Sequence, residues 1–313
     1  MGGFSPPFFM IIRATEIKNK LLDIKFGRVK EGLKIGIPEI DEYIRLKLGG
    51  NSILLIGHAN VGKTSVAIYL LTVWAVLHKT KTLIWSSENT VDSIVRKIIE
   101  FKMGKPISMA SEIEIQTALG WCDDYFKIID VDELYTYKDL LAEANAIKDA
   151  WDYNLCLIDP YNSLAKEPQD IKSLGGHEYD YMVLTELRLF AKKRGISLFL
   201  NCHGNSEALR RTHPKSHEYE NLPVPLGMAR IEGGGKFGNR FNDCYCIHRY
   251  TGHPTEWMYT HLHVLKVKET ETGGRCTPFE QPVKIRMKIN NVGFEFAGQD
   301  ILHNKKNIKQ VVF

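Results

Sequence analysis

The stretch "SILLIGHANVGKTS", residues 52–65, sets the architecture. "SILLIG" is a short apolar run closed by glycine, the mark of a strand buried on both faces. Lys63–His78 holds neither glycine nor proline and reads as a helix. Between them "GHANVGKT" fits G-x-x-x-x-G-K-[ST] at every position, in the strand–loop–helix setting that this phosphate-cradling pattern requires. Gly57 and Gly62 free the backbone to turn amide N–H groups inward. The helix that follows adds its N-terminal partial charge. Lys63 is placed to reach the β- and γ-phosphates and Thr64 to put its hydroxyl on magnesium. Gly57, His58, Ala59, Asn60, Val61, Gly62, Lys63, Thr64 and Ser65 are therefore the expected nucleotide contacts, with ATP and Mg2+ as ligands.

On either side of this turn, strand and helix alternate. "KTLIWSSEN" (81–89), "YFKIIDV" (125–131), "YNLCLIDP" (153–160) and "ISLFLNCHG" (196–204) read as further strands. Helices are expected over 14–24, over 91–104 with Asn89 or Thr90 as N-cap and Gly104 at the end, and over 138–151. Tyr179, Met182, Val183, Leu187, Phe190 and Ala191 form one helical stripe that Gly195 closes. Past Leu222 short strands follow, "DCYCIHRY", "HLHVLKVKE" and "PVKIRMKI". The fold class is α/β: a mostly parallel central sheet with helices on both faces, extended by antiparallel C-terminal strands.

A phosphate loop needs a metal-side carboxylate at the carboxyl end of a neighbouring strand, where ligands bind in open α/β sheets. Asp159, after four apolar residues, stands there and with Thr64 is the expected magnesium pair; its alternative is an acid that opens the turn at Pro160. Hydrolysis also needs an oriented, polarised water. Glu88 ends the strand after the phosphate-loop helix and is the expected base, or else a surface acid that caps the next helix. His203 ends another strand and is the expected γ-phosphate contact, with Asn201 as the weaker candidate and a satisfied core histidine as the alternative. Cys202, His203, Cys244, Cys246 and His248 do not match zinc-ligand spacing.

The bulk numbers narrow the class. The chain has 313 residues, 44% hydrophobic and 25% charged, with a net charge of +4, enough for one large core and compatible with an anionic partner. Six scattered cysteines without a CxxC pair point to a reducing compartment and no disulfide framework. No apolar stretch reaches the length of a membrane span, and "MGGFSPPFFMII" is a poor signal peptide. The expected location is cytoplasmic.

Together these pieces resemble the RecA-like motor domain of ring-forming replicative helicases of the DnaB and Twinkle type, with phage-like features. "GLKIGIPEIDEYI" (32–44) is similar to that family's lead-in to the phosphate-loop strand, and Glu88, Asp159 and His203 follow in the family's order. The resemblance implies an organisation of N-terminal arm and linker helix (1–31), motor domain (32–296) and C-terminal tail (297–313), with Phe8, Phe9 and Ile11 as anchors on an adjacent subunit. It implies that Arg249 touches the nucleotide base, and that the pair Lys266 and Lys268 reaches into a neighbour's ATP. Lys268 stands where the family has an arginine finger; Arg275 is the substitute. Residues two apart on a strand share a face, so the two lysines are expected to project together. Single-stranded DNA is the implied partner, gripped by basic loops: one after Asp159, and one over 204–235 with Arg210, Arg211, Lys215, Arg230, Gly234 and, just beyond, Lys236. A homo-oligomeric, hexameric ring and primase or another replisome protein complete the implied partners. Two other readings stay open. One is a RecA-like recombinase or annealing ATPase that forms filaments on single strands; the other is a non-motor ATP-binding ring that binds a protein.

Overall fold

The computed structural model describes residues 13–28, 31–130 and 135–304. The expected anchors Phe8, Phe9 and Ile11 lie outside the described residues. The chain divides into two units, residues 1–31 and 32–313. In the first, a 3-10 turn over Ala14–Ile17 leads into helix α1, Lys18–Lys25, where the sequence places a helix.

In the second unit the order is α2 (Pro38–Asp41), β1 (Ser52–Gly57), α3 (Lys63–His78), β2 (Thr82–Ser86), α4 (Val91–Met103), α5 (Glu112–Tyr125), β3 (Phe126–Ile129), α6 (Tyr137–Ala150), β4 (Leu155–Asp159), α7 (Pro168–Arg194), β5 (Ser197–His203), α8 (Lys236–Arg240), β6 (Asp243–His248), β7 (Tyr259–Lys266), α9 (Thr270–Gly273), β8 (Val283–Met287), β9 (Phe294–Phe296) and β10 (Gln299–Asp300). One sheet carries all ten strands in the order β10-β9-β8-β7-β6-β1-β5-β4-β2-β3. The neighbours from β6 through β1, β5, β4 and β2 to β3 are parallel; from β6 to β10 each pair is antiparallel.

β1 is buried along its whole length, which explains why it reads as an unbroken apolar run. Ile53 and Leu55 belong to the core shared with α3, α4 and α5, whereas Leu54 and Ile56 belong to the core shared with α6 and α7. This is the period-two alternation of a strand covered on both faces. Each such aliphatic side chain contributes roughly 1.5–3 kcal/mol by leaving water. Gly104 (φ 72°) and Gly195 (φ 64°) end α4 and α7 in the left-handed conformation, where a side chain would be strained.

Several elements depart from the sequence reading. β6 joins β1 in parallel, not as part of the antiparallel extension, because the long connection over 204–242 carries the chain back across the sheet before β6 begins. α5 was not expected at all, although Ser111 and Glu114 form a reciprocal capping box at its start. α7 begins earlier than the apolar stripe indicates, at Pro168, and is kinked at Gly175 (φ 77°, ψ 157°). Residues 299–304, placed by sequence in a tail, add β10 and bury Ile301 and Leu302, the Leu302 N–H donating to Tyr69 Oη at 3.2 Å. All six cysteines carry free thiols, and only Cys276 is exposed. Among the described residues no helix is long and apolar enough to cross a membrane.

Candidate nucleotide-binding site

The parallel register sets the site. Gly57 pairs with His203, Ser86 with Asp159 and Ile158 with Leu200, so four strand ends reach the carboxyl edge of the sheet, those of β2 and β4 two residues below those of β1 and β5. The 57–65 turn leaves β1 there. Gly57 admits no side chain: a Cβ would lie 2.3 Å from Ile247 O on β6. Gly62 caps α3 with φ 87°, and Asn60 also takes a positive φ of 60°. Among the described residues no backbone carbonyl accepts from the N–H groups of Lys63, Thr64 or Ser65, the orphan donors of a helix start. His58 and Val61 are buried, while Ala59 and Asn60 are exposed.

Around this turn the side chains interlock. Thr64 Oγ1 donates to Asp159 Oδ2 at 2.7 Å, and Asn201 Nδ2 donates to Asp159 Oδ1. Asp159 is fully buried. Burial raises its carboxyl above the ordinary value, against the hydrogen bonds from Thr64 and Asn201 and the nearby Lys63 charge, which lower it. Lys63 Nζ donates to His58 O at 2.9 Å and lies 3.3 Å from His203 Nδ1. Burial lowers the Lys63 amine, and Asp159 and Glu88 oppose that. His203 Nε2 is 3.0 Å from Glu88 Oε1. With the Lys63 ammonium donating to Nδ1, the proton of His203 sits on Nε2 and is given to Glu88. Glu88 remains 47% exposed, so it faces solvent at the mouth of the site.

Sequence reasoning missed four neighbours. Asn162 Oδ1 accepts from the His203 N–H at 3.2 Å, and its amide donates to Glu232 Oε2 at 2.9 Å. Lys97 Nζ lies 3.4 Å from Ser65 Oγ. Val224 O accepts from His58 Nε2 at 2.9 Å. No spacing pattern marks these residues: Lys97 comes from α4, Asn162 from the turn after β4, and Val224 and Glu232 from the long connection between β5 and β6.

The remaining expected residues divide. Arg249, one residue past β6, donates to Trp257 O at 2.8 Å, and burial lowers its guanidinium. β7 ends at Lys266, so Lys268 lies just past the ladder, its N–H donating to Asp243 Oδ1 at 3.2 Å; after burial, its charge is the next cause that lowers the Lys266 amine. Lys266 Nζ is engaged within its own chain, with Gly238 O at 2.7 Å and Phe241 O at 2.8 Å. Lys268 is exposed, and Arg275 is exposed in an ion pair with Glu42. Arg210, Arg211 and Lys215 are exposed on the 204–235 loop, with Arg230 partly buried. Gly234 takes φ 90°. Lys236 departs from the expectation of a DNA contact: it is buried, its Nζ 3.1 Å from Asp180 Oδ2. A buried carboxylate holds that amine, and a phosphate would have to break the pair to reach it.

The fold and this edge define a RecA-like α/β domain with a site at the carboxyl ends of its central strands. No protein-family model matches the sequence, and no curated protein matches it. Among solved structures the chain is similar to a protein's isolated ATPase domain, with TM-score 0.68 at 12% identity, over 90% of this chain and 98% of that one. It is similar also to a DnaB-like replicative helicase described with its interactions with primase, with TM-score 0.68 at 13% identity, over 91% of this chain and 67% of that one. At these identities the likeness is one of fold, and the chain has the fold of a DnaB-type helicase motor domain.

Proposed function

We propose that this chain is the ATP-hydrolysing motor of a replicative DNA helicase, working as a hexameric ring that moves along single-stranded DNA. The observation that carries this reading is the bonded convergence of Lys63, Thr64, Asp159, His203 and Glu88 at one edge of the sheet. The orphan N–H groups of 63–65 and the Thr64–Asp159 pair suit a triphosphate with its magnesium. Thr64 and Asp159 would hold the ion, whose charge offsets the burial of the Asp159 carboxylate.

The work divides among these residues. The 57–65 turn and Lys63 hold the phosphates. Glu88 orients and polarises the attacking water. Binding of triphosphate draws the Lys63 ammonium from His58 O and His203 Nδ1 onto phosphate oxygens. His203, released on one side, reports that change to the loop that begins at Gly204. The basic side chains of that loop, Arg210, Arg211 and Lys215, grip the DNA backbone. Lys268, exposed and past the end of β7, serves as the cation given to a neighbour's ATP, with Arg275 as the alternative. Primase is a partner of one structural neighbour and is proposed as a partner here.

The test is the ATPase rate with and without single-stranded oligonucleotide, followed by strand displacement on a forked duplex and particle images with ATP. The expected result is stimulated turnover, displacement and rings, with turnover and displacement absent in Lys63→Ala. A chain that hydrolyses no ATP in the presence of DNA refutes the motor. Turnover with filaments and no displacement assigns the recombinase reading instead.

A further inference from the structure

The 204–235 loop doubles back on itself. Its outgoing and returning arms are joined at Gly204–Ile231 and again at Thr212–Pro223. On the returning arm, Val224 donates its N–H to Arg211 O at 2.9 Å. The carbonyl of the same residue accepts from His58 Nε2 at 2.9 Å. Because the acceptor is a carbonyl, Nε2 carries the proton. His58 is 4% exposed and its ring sits edge-on to His248 on β6, centroids 5.7 Å apart at 71°. A rigid, seated donor in the 57–65 turn is thus two hydrogen bonds from the backbone of an exposed arginine.

We propose that His58 is a positioning residue that ties the nucleotide turn to the basic loop through Val224, so that movement of the turn on binding nucleotide repositions Arg210 and Arg211. This strap is separate from the covalent route that leaves His203. It rests on the reading of 57–65 as the nucleotide turn and of 204–235 as the DNA loop. It also explains why the buried second position of the turn carries a polar ring. An aliphatic residue would fill the space, but only a donor reaches Val224 O. A donor bonded across a loop lowers the frequency of local opening.

Trypsin reads the loop directly, since Arg210 and Arg211 are exposed. Nicking after these residues is followed by mass spectrometry for the full chain, His58→Leu and His58→Gln. A non-hydrolysable ATP analogue is present or absent, its binding is measured separately by titration, and Arg28 serves as a reference cleavage site. Without nucleotide, His58→Leu is nicked about fivefold faster than the native chain, the size expected for one lost hydrogen bond, and His58→Gln, which keeps an amide donor, returns towards the native rate. With the analogue bound, nicking changes in the native chain and in His58→Gln and stays constant in His58→Leu. Equal nicking of native and His58→Leu chains, an undiminished analogue response in His58→Leu, or failure of His58→Gln to restore the native rate overturns the proposal. Should His58→Leu lose its folded circular dichroism signal, His58→Ala takes its place. If the native chain binds no analogue, the nucleotide reading fails, and the nucleotide-free rates still decide whether the strap exists.

Discussion

Lowering the pH from 7 to 5 destabilises this fold through histidines on β6 and β7, and His263→Leu removes a measurable part of the loss. His248, His261 and His263 are 2%, 2% and 3% exposed. Burial pushes His248 down to about 2 and His261 and His263 down to about 4. Neighbouring histidines push His248 and His263 the same way, while Lys284 lowers His261 and Glu256 opposes it. Neither ring nitrogen of His248, nor Nε2 of His263, finds a hydrogen-bond partner among the described residues, so nothing favours their charged forms. In the unfolded chain a histidine titrates near 6.5. Between that value and about 4 the unfolded chain binds protons that the folded chain refuses, and stability falls as the pH falls. At pH 5 the charged form of an unfolded imidazole outnumbers the neutral one by about thirty to one, which costs the native state about 2 kcal/mol per histidine. Three such groups approach about 6 kcal/mol, much of the roughly 5–15 kcal/mol that holds a domain folded. Asp41 and Asp159, raised by burial, act in the opposite direction, so one variant is compared with its parent. Urea unfolding at pH 7 and pH 5 is expected to show a loss about 2 kcal/mol smaller in His263→Leu than in the native chain. An equal loss in both, or an NMR titration that places His263 near 6.5, defeats this account.

Glu88→Gln is expected to bind ATP with near-native affinity and to lower turnover by at least about a hundredfold, read by nucleotide titration beside phosphate release; native turnover removes Glu88 as the base. Gly57→Ala puts a Cβ 2.3 Å from Ile247 O, a backbone atom inside the sheet, and should cost at least about 1–3 kcal/mol and weaken nucleotide binding, as followed by melting and titration. Lys236→Met removes one partner of the Asp180 carboxylate, which keeps the Tyr161 hydroxyl at 2.9 Å and Lys166 at 3.4 Å, and should cost about 1.5–3 kcal/mol in urea unfolding. Paired with Asp180→Leu it should recover most of that; a variant that unfolds like the native chain yet binds DNA weakly would restore Lys236 to the DNA surface.

Much of the fold was legible because it rests on local signals. The apolar run of β1, the glycine turn and the unbroken helix after it appear in the structure close to where the sequence puts them. The same holds for β2, β4 and β5, since strands buried on both faces leave contiguous apolar runs. α5 escaped because its buried face is thin: Ala118 and Cys122 alone are fully buried along it. The parallel pairing of β6 escaped because pairing direction depends on the path of a long connection, which leaves no mark in the strand's own residues.

Residue order alone was enough to place the glycine turn, the helix behind it and the polar groups at the strand ends, because each follows from backbone freedom and residue type within a few positions. Which cations are available and which are occupied became visible only once the chain was folded. Lys236 is buried against Asp180 and Lys266 is bound to its own Gly238 and Phe241 carbonyls, while Lys268 and Arg210 stay exposed. A lysine carries the same charge in every sequence; whether it meets a partner from its own chain depends on how distant segments are brought together.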